Sequence, residues 1–117
     1  LLGAVPRTQM RELYQWADVL VLPSICEGSA MVTYEAMAAG VPVITTPNAG
    51  SIVRDGIDGF IVPIRDSTAI TERLCEMHEN RELLRRMSES AVNHVTYTAS
   101  LEKYQKRLLA VVKPIIQ

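Results

Sequence analysis

Residues 23–44 read Pro-Ser-Ile-Cys-Glu-Gly-Ser-Ala-Met-Val-Thr-Tyr-Glu-Ala-Met-Ala-Ala-Gly-Val-Pro-Val-Ile, and this stretch decides the fold. We predict a helix over about residues 30–39, between two short apolar strands. That helix is nearly apolar on every side, which is typical of a buried helix. It carries one carboxylate, Glu35, and an unpaired buried charge is costly. We therefore expect a distant basic residue, a backbone amide or a ligand with hydroxyl donors to satisfy Glu35.

The start of this helix is a candidate anion site. Gly28 precedes Ser29, which is a good N-cap residue. The amides of residues 30–32 have no partner within the helix and lie at the positive end of its dipole. Ser29 can accept one of these bonds, and the remaining amides can bind a phosphate. Glu27 lies just before the turn, so the loop offers a carboxylate beside free amides.

Short apolar strands alternate with helices over the first part of the chain, and we predict strands over residues 1–5, 19–22, 41–45 and 60–62. Apolar residues at helical spacing, including Tyr14 and Trp16, predict an amphipathic helix that Thr8 caps and that ends at Asp18. Gly40 is a good stop for the helix that follows. This alternation predicts an α/β fold with a Rossmann-like parallel sheet flanked by helices.

Further along, turn and cap signals divide the second half of the chain. Two Asp-Gly pairs, at residues 55–56 and 58–59, predict two turns. Asp66 or Ser67 caps a helix, and Asn80 caps another. We expect these helices to carry apolar faces, and the residues that form them are Ile70, Leu74, Met77, Leu84, Met87, Ala91 and Val95. We predict a break at residues 97–100, followed by a last helix over about residues 101–113.

Composition excludes several classes of protein. The chain has 117 residues, enough for one domain, and its 12 Lys and Arg against 13 Asp and Glu give no basic surplus for binding nucleic acid. Its apolar runs are too short to span a bilayer. It has two cysteines without a close pair, so neither a disulfide framework nor a zinc site is expected. We expect Cys26 to be a small buried apolar side chain.

In open α/β sheets, ligands bind beyond the carboxyl ends of the strands, and Glu27 with the helix amides lies on that edge. Glu35 lies further in on the same helix. A carboxylate that accepts two hydroxyl donors suits the vicinal diol of a ribose. A phosphate at the start of the helix and a ribose at Glu35 would together make a nucleotide site. The alternative is that Glu35 pairs with a basic residue elsewhere and that Ser29 only caps the helix.

The stretch resembles the signature of retaining glycosyltransferases of family four, the "glycosyl transferases group 1" of GT-B fold, in which two Glu flank seven residues. Here these are Glu27 and Glu35. The resemblance runs from Leu2 to Val62, and the motifs that carry it stand in the family's order: Ala17-Asp18-Val19, Leu22-Pro23-Ser24, Glu27-Gly28, Glu35-Ala36-Met37-Ala38-Ala39-Gly40, Pro42-Val43-Ile44, Asp55-Gly56 and Gly59-Phe60.

The resemblance implies a role for each site residue. Glu27 would be the catalytic residue beside the reacting centre and would bind hydroxyls of the donor sugar. Glu35 would bind the ribose, and Val5 would lie near the base through its backbone. Backbone amides toward the sugar and the diphosphate would come from Gly28, Ser29, Ala30, Met31 and Val32. The family usually needs no bound metal, so no cofactor is expected besides a nucleoside-diphosphate sugar as donor substrate.

The chain departs from the family in two loops. Ala30 stands where the family usually has glycine, and Ala30 lacks the conformational freedom of glycine, so we expect the sugar subsite to differ from that of the family. The loop over residues 46–51 looks shorter than usual, and it lacks the family's usual glycine pair and acid.

We expect the family's other parts to lie upstream of Leu1, since the chain begins without methionine. These are the arginine–lysine pair that grips the diphosphate and the N-terminal domain that binds a carbohydrate or lipid acceptor. Residues 1–117 would thus be part of a C-terminal donor-binding domain, with the sheet and site in 1–63 and helices in 64–117, inactive alone. The parent would work in polysaccharide biosynthesis, in the cytoplasm or in peripheral association with the cytoplasmic face of the membrane.

Two other functions remain open. A non-catalytic α/β module for assembly would pair Glu35 internally and bind no nucleotide. A glycosidase would use Glu27 and Glu35 as paired carboxylates. We disfavour the glycosidase because Glu35 is expected inside a buried helix, behind an anion site that hydrolysis does not need.

Overall fold

The computed structural model describes residues 5–26 and 31–98, together with Lys106 and Ala110. Within these residues the helices and strands alternate as predicted over the first part of the chain. In chain order they are α1 (Arg7–Trp16), β1 (Leu20–Leu22), α2 (Met31–Ala38), β2 (Val43–Thr45), β3 (Gly59–Ile61), α3 (Ser67–Glu79) and α4 (Arg81–Thr98).

The three strands form a parallel sheet in the order β1-β2-β3. Val21 lies opposite Ile44, and Ile44 lies opposite Phe60. Every residue of β2 is buried, whereas β1 is half-buried throughout, because among the residues that the structure describes β2 is the strand with a neighbour on each side. The predicted α/β class with a parallel sheet is confirmed.

Two apolar clusters cover the two faces of the sheet. Consecutive residues of a strand point to opposite faces, and Val43 belongs to one cluster while Ile44 belongs to the other. The first cluster packs α1 and α2 on the sheet, through Tyr14 and Met37 among others. The second packs α3 through Met77. Helices therefore flank both faces, as the sequence predicts.

Helix α4 contacts both clusters. Met87 is buried in the second cluster and Ala91, one turn later, in the first. Between them the Ser88 hydroxyl donates to the carbonyl of Gly40, with 2.6 Å between the oxygens. Gly40 comes shortly before β2, so α4 passes from one face of the sheet to the other at the amino ends of the strands.

Gly40 stops helix α2, whose last residue is Ala38, as predicted. Gly40 has a φ of +79°, which favours glycine. Its amide donates to Met37 and the amide of Val41 donates to Ala36, which is the Schellman arrangement. Two residues after Gly40, the carbonyl of Pro42 accepts from the amide of Leu20 at 3.0 Å. This bond joins the segment that follows α2 to the start of β1.

The loop before β3 corrects the prediction of two similar turns. Gly56 has a φ of +79° and lies in a turn, but Gly59 is the first residue of β3. Asp58 is buried and accepts from the backbone amide of Arg54 at 3.1 Å and from its Nε and Nη2 at 2.9 and 2.8 Å. These bonds raise the pKa of Arg54. The second Asp-Gly pair therefore anchors the loop to the sheet.

The caps of the later helices are confirmed. The Asp66 carboxylate accepts from the amide of Ala69 at 2.9 Å at the start of α3. The Asn80 side chain accepts from the amide of Leu83 at 3.1 Å at the start of α4. Met77 is buried as expected, but Leu74 is 38% exposed because α3 buries only a narrow face.

Three predictions of helix ends and burial are wrong. Helix α1 begins at Arg7, ahead of Thr8, because the carbonyl of Pro6 already accepts from the amide of Gln9 at 2.9 Å, which makes Pro6 the N-cap. Trp16, at its end, is 83% exposed. The predicted break at 97–100 is contradicted at residues 97–98, which continue α4 because its apolar face extends through Val95.

Other predictions fall largely outside the residues that the structure describes. Of the strand predicted over residues 1–5, only Val5 is described, and it lies in neither a helix nor a strand. Of the helix predicted over residues 101–113, Lys106 and Ala110 are described, and both are helical.

Candidate functional site

The carboxyl end of β1 leads toward the predicted donor loop and is tied to β2. The buried Thr45 hydroxyl donates to the carbonyl of Leu22 at 2.9 Å. The next hydroxyl along β2, that of Thr46, donates to the carbonyl of Ser24. These two bonds fix the path of the chain as it leaves the sheet for residues 27–30.

Glu35 receives a hydrogen bond from α1. The hydroxyl of Tyr14 donates to Glu35 Oε2 at 3.1 Å. Tyr14 is 8% exposed and its ring packs in the first cluster, whereas Glu35 is half-buried. The donor of this bond is thus a tyrosine hydroxyl, and not the basic residue, backbone amide or ligand expected from the sequence.

An open cavity of about 550 Å³ lies between α1 and α2 beside this bond. Pockets of this volume are typical of small-molecule sites. Four polar side chains and three apolar ones line it: Arg11, Tyr14, Gln15, Glu35, Met10, Ala38 and Ala39. The cavity thus combines one anionic acceptor, one guanidinium and one amide beside small apolar surfaces, a combination able to bind a polar ligand that carries hydroxyl groups.

The cavity corrects the prediction that α2 is buried on every side. Only Thr33, Ala36 and Met37 of α2 are buried. Met31 is 60% exposed, and Ala38 is also exposed. The buried residues pack on the sheet and α4, so the opposite side of α2, including Glu35, faces the cavity.

The structure describes four of the predicted site residues. Val5 is half-buried directly before α1, and Met31, Val32 and Glu35 lie in α2. Of these, only Glu35 lines the cavity. Glu27, Gly28, Ser29 and Ala30 lie outside the described residues, so their predicted roles stay predictions.

Sequence reasoning missed Arg11, Tyr14 and Gln15 as cavity residues. It placed Tyr14 on the apolar face of α1, which is correct for its ring. A buried tyrosine usually gives its hydroxyl a partner, and Glu35 needed a donor. Tyr14 needs an acceptor and Glu35 needs a donor, so the two residues could have been matched from the sequence. However, no local signal in the sequence shows that α1 lies beside α2.

Cys26 is exposed, which corrects the expectation of a buried side chain, because it lies in the loop beyond β1. Across residues 5–26 and 31–98, no cluster of three His, Cys, Asp or Glu is placed to hold a metal ion. The prediction that the site needs no metal stays a prediction.

Comparison with known proteins shows the family. A family model described as "Glycosyl transferases group 1" matches residues 1–94. The chain therefore belongs to the glycosyl transferases group 1 family. It is 42% identical over 84 residues to EpsD of Bacillus subtilis, which is named as a glycosyltransferase, with 70% of this chain and 22% of that one covered.

A second relative is the D-inositol 3-phosphate glycosyltransferase of Streptomyces coelicolor. The identity is 32% over 120 residues, with 89% of this chain and 26% of the relative covered. The chain thus spans about a quarter of the length of the curated relatives it matches.

Solved structures share the fold. The sucrose-phosphate synthase of Thermosynechococcus elongatus has a TM-score of 0.85 at 23% identity, covering 98% of this chain and 29% of the other. The C-terminal domain of the group 1 glycosyl transferase LpcC from Francisella tularensis has a TM-score of 0.79 at 22% identity, over 86% and 53% of the two chains. The fold is therefore that of the C-terminal domain of GT-B glycosyltransferases.

Anabaena HepE, solved in complex with UDP-glucose, has a TM-score of 0.78 at 18% identity, with 88% of this chain and 29% of HepE covered.

In the described part of our chain, no helix has the length and hydropathy needed to cross a bilayer.

Proposed function

We propose that the chain is the donor-binding part of a retaining glycosyltransferase of family four. The complete enzyme transfers a sugar from a nucleoside-diphosphate sugar to a carbohydrate or lipid acceptor. Residues 1–63 supply the sheet and the donor site, and residues 64–117 supply the helices at the end of the same domain. An N-terminal domain binds the acceptor, and the chain alone does not turn over.

One observation supports this proposal above the others: Glu35 lines an open cavity at the surface of a group 1 glycosyl transferase domain. A carboxylate in such a cavity can accept the two hydroxyl donors of a ribose diol. The UDP-glucose complex of HepE, which shares the fold, supports a nucleotide-sugar as the ligand.

The remaining roles follow the family signature. Glu27 lies beside the reacting centre and binds hydroxyls of the donor sugar. The backbone amides of Gly28, Ser29, Ala30, Met31 and Val32 bind the sugar and the diphosphate. The backbone of Val5 lies near the base. Helix dipoles and basic side chains stabilise the leaving diphosphate, so the reaction requires no metal.

The complete enzyme works in the cytoplasm or on the cytoplasmic face of the membrane, where its acceptor is made into a polysaccharide or glycolipid. Both alternatives, an assembly module and a glycosidase, have less support than the transferase, because the family of the chain and the two relatives described above are named as glycosyltransferases.

The test is a calorimetric titration of the full-length gene product with UDP, GDP and ADP, with and without an attached glucose. We expect one nucleoside diphosphate to bind and Glu35→Gln to weaken its binding by about ten-fold or more, since hydrogen bonds to a charged group are strong. Glu79→Gln is the matched control, because Glu79 is exposed on α3 and outside the cavity.

Two results would overturn the proposal. One is that no nucleoside diphosphate binds the full-length protein, and the other is that Glu35→Gln binds as the wild type does. Retention is tested separately by proton NMR of the product, whose new glycosidic bond should have the anomeric configuration of the donor.

A further inference from the structure

The hydrogen bond from Tyr14 to Glu35 joins two helices at the cavity. Tyr14 belongs to α1 and Glu35 to α2, and the hydroxyl lies 3.1 Å from Oε2. We propose that Tyr14 is a positioning residue for donor binding: its hydroxyl holds the Glu35 carboxylate in the orientation that accepts the ribose diol. This inference rests on the proposed function of Glu35.

The ring of Tyr14 is held firmly enough for this task. It is 8% exposed and lies in the first cluster with Met37 and Val43, which are both fully buried. A tyrosine side chain has only two rotatable torsions before its hydroxyl, and packing fixes both here. The hydroxyl therefore has a defined place relative to the sheet.

Glu35 gains most from such a partner because its own side chain is half-buried beside an open cavity. A glutamate has several rotatable bonds, and fixing them when a ligand binds costs side-chain entropy. A carboxylate fixed before binding avoids most of that cost at the binding step. A carboxylate has about four positions for accepting hydrogen bonds, so the bond from Tyr14 does not exhaust its capacity.

The test uses Tyr14→Phe, which keeps the ring in the first cluster and removes only the hydroxyl. Its ligands are the nucleoside diphosphate that binds the wild type and the 2′,3′-dideoxy form of the same nucleotide. The matched control is Tyr97→Phe, on α4 and outside the cavity lining. The full-length gene product is used throughout.

We expect Tyr14→Phe to raise the Kd of the ribonucleotide by about five-fold to ten-fold. The Kd of the dideoxy nucleotide should stay within about two-fold of its wild-type value. In the Glu35→Gln background, Tyr14→Phe should raise the Kd of the ribonucleotide by less than about a further two-fold, because the hydrogen bond from Tyr14 to the Glu35 carboxylate is already altered. In steady-state kinetics the KM for the donor should rise while kcat stays close to wild type.

Several outcomes would overturn the inference while Glu35→Gln still defines the ribose site. Equal weakening of both nucleotides would make Tyr14 a merely structural residue. A further loss in the Glu35→Gln background would mean that Tyr14 acts independently of Glu35. Unchanged ribonucleotide binding would mean that the hydroxyl does not position the carboxylate. Failure of the wild type to bind any nucleotide would instead defeat the proposed function itself.

Discussion

Gly56, in the turn before β3, and Gly59, the first residue of β3, each follow an aspartate, yet a side chain would meet different surroundings at the two positions. A Cβ at Gly59 would lie 1.9 Å from the carbonyl oxygen of Val43, in the backbone of the central strand. At Gly56 nothing lies within 4 Å, and only the φ of +79° disfavours a side chain.

We therefore predict that Gly59→Ala lowers the free energy of unfolding by about 3 kcal/mol or more, since the central strand cannot move aside without losing its pairing. Gly56→Ala should cost about 1–2 kcal/mol, the usual cost of a left-handed residue with a Cβ. Urea unfolding followed by circular dichroism measures both. A Gly59→Ala variant as stable as Gly56→Ala would contradict the prediction.

At the scale of single residues, the sequence indicates which side chains need a hydrogen-bond partner better than it indicates which residue that partner is. It indicated that Glu35 needs a donor and that Asp58 lies near a turn. It could not show that Tyr14 supplies the donor or that Asp58 is buried against Arg54. The first pairing joins helices separated by a strand, so no local pattern indicates it. The second joins residues four apart, and the pattern does not show that Asp58 is buried.

The helix ends were predictable from sequence where the determinant is local. Asp66 and Asn80 cap the helices that follow them, and Gly40 ends α2, because each acts on residues within one turn. The burial of α2 and of Trp16 was predicted wrongly, since composition alone does not show which side of a helix meets the sheet.

The cap of α3 offers a test at the scale of one element. We predict that Asp66→Ala destabilises the protein by about 1 kcal/mol, because the amide of Ala69 loses its acceptor. Asp66→Asn retains a side-chain oxygen and should cost much less. Thermal unfolding of the two variants measures the difference, and equal losses would show that the cap does not depend on this acceptor.

At the scale of the whole molecule, one sheet and one helix connect the two clusters. Met37 lies in the first cluster and Met87 in the second, and each is almost completely buried. Because α4 contacts both clusters and crosses at Gly40, neither face can lose its packing without disturbing the other.

We predict that Met87→Ala and Met37→Ala each cost about 2–5 kcal/mol, as expected for a buried methionine. Met87→Ala should also speed global hydrogen exchange in α2 as much as in α3, because unfolding is a single transition. Mass spectrometry of peptides from the two helices measures this. Faster exchange confined to α3 would mean that the two faces unfold separately.

The crossing of α4 at the amino ends of the strands also matters for engineering. The long-range contact of Ser88 with Gly40 lies at that end, while the loops that carry the proposed donor chemistry leave the opposite end. Replacing those loops would therefore leave the crossing intact. If the proposed donor site is right, new sugar preferences would be introduced at one edge of the sheet while the contacts at the other edge hold the helices on it.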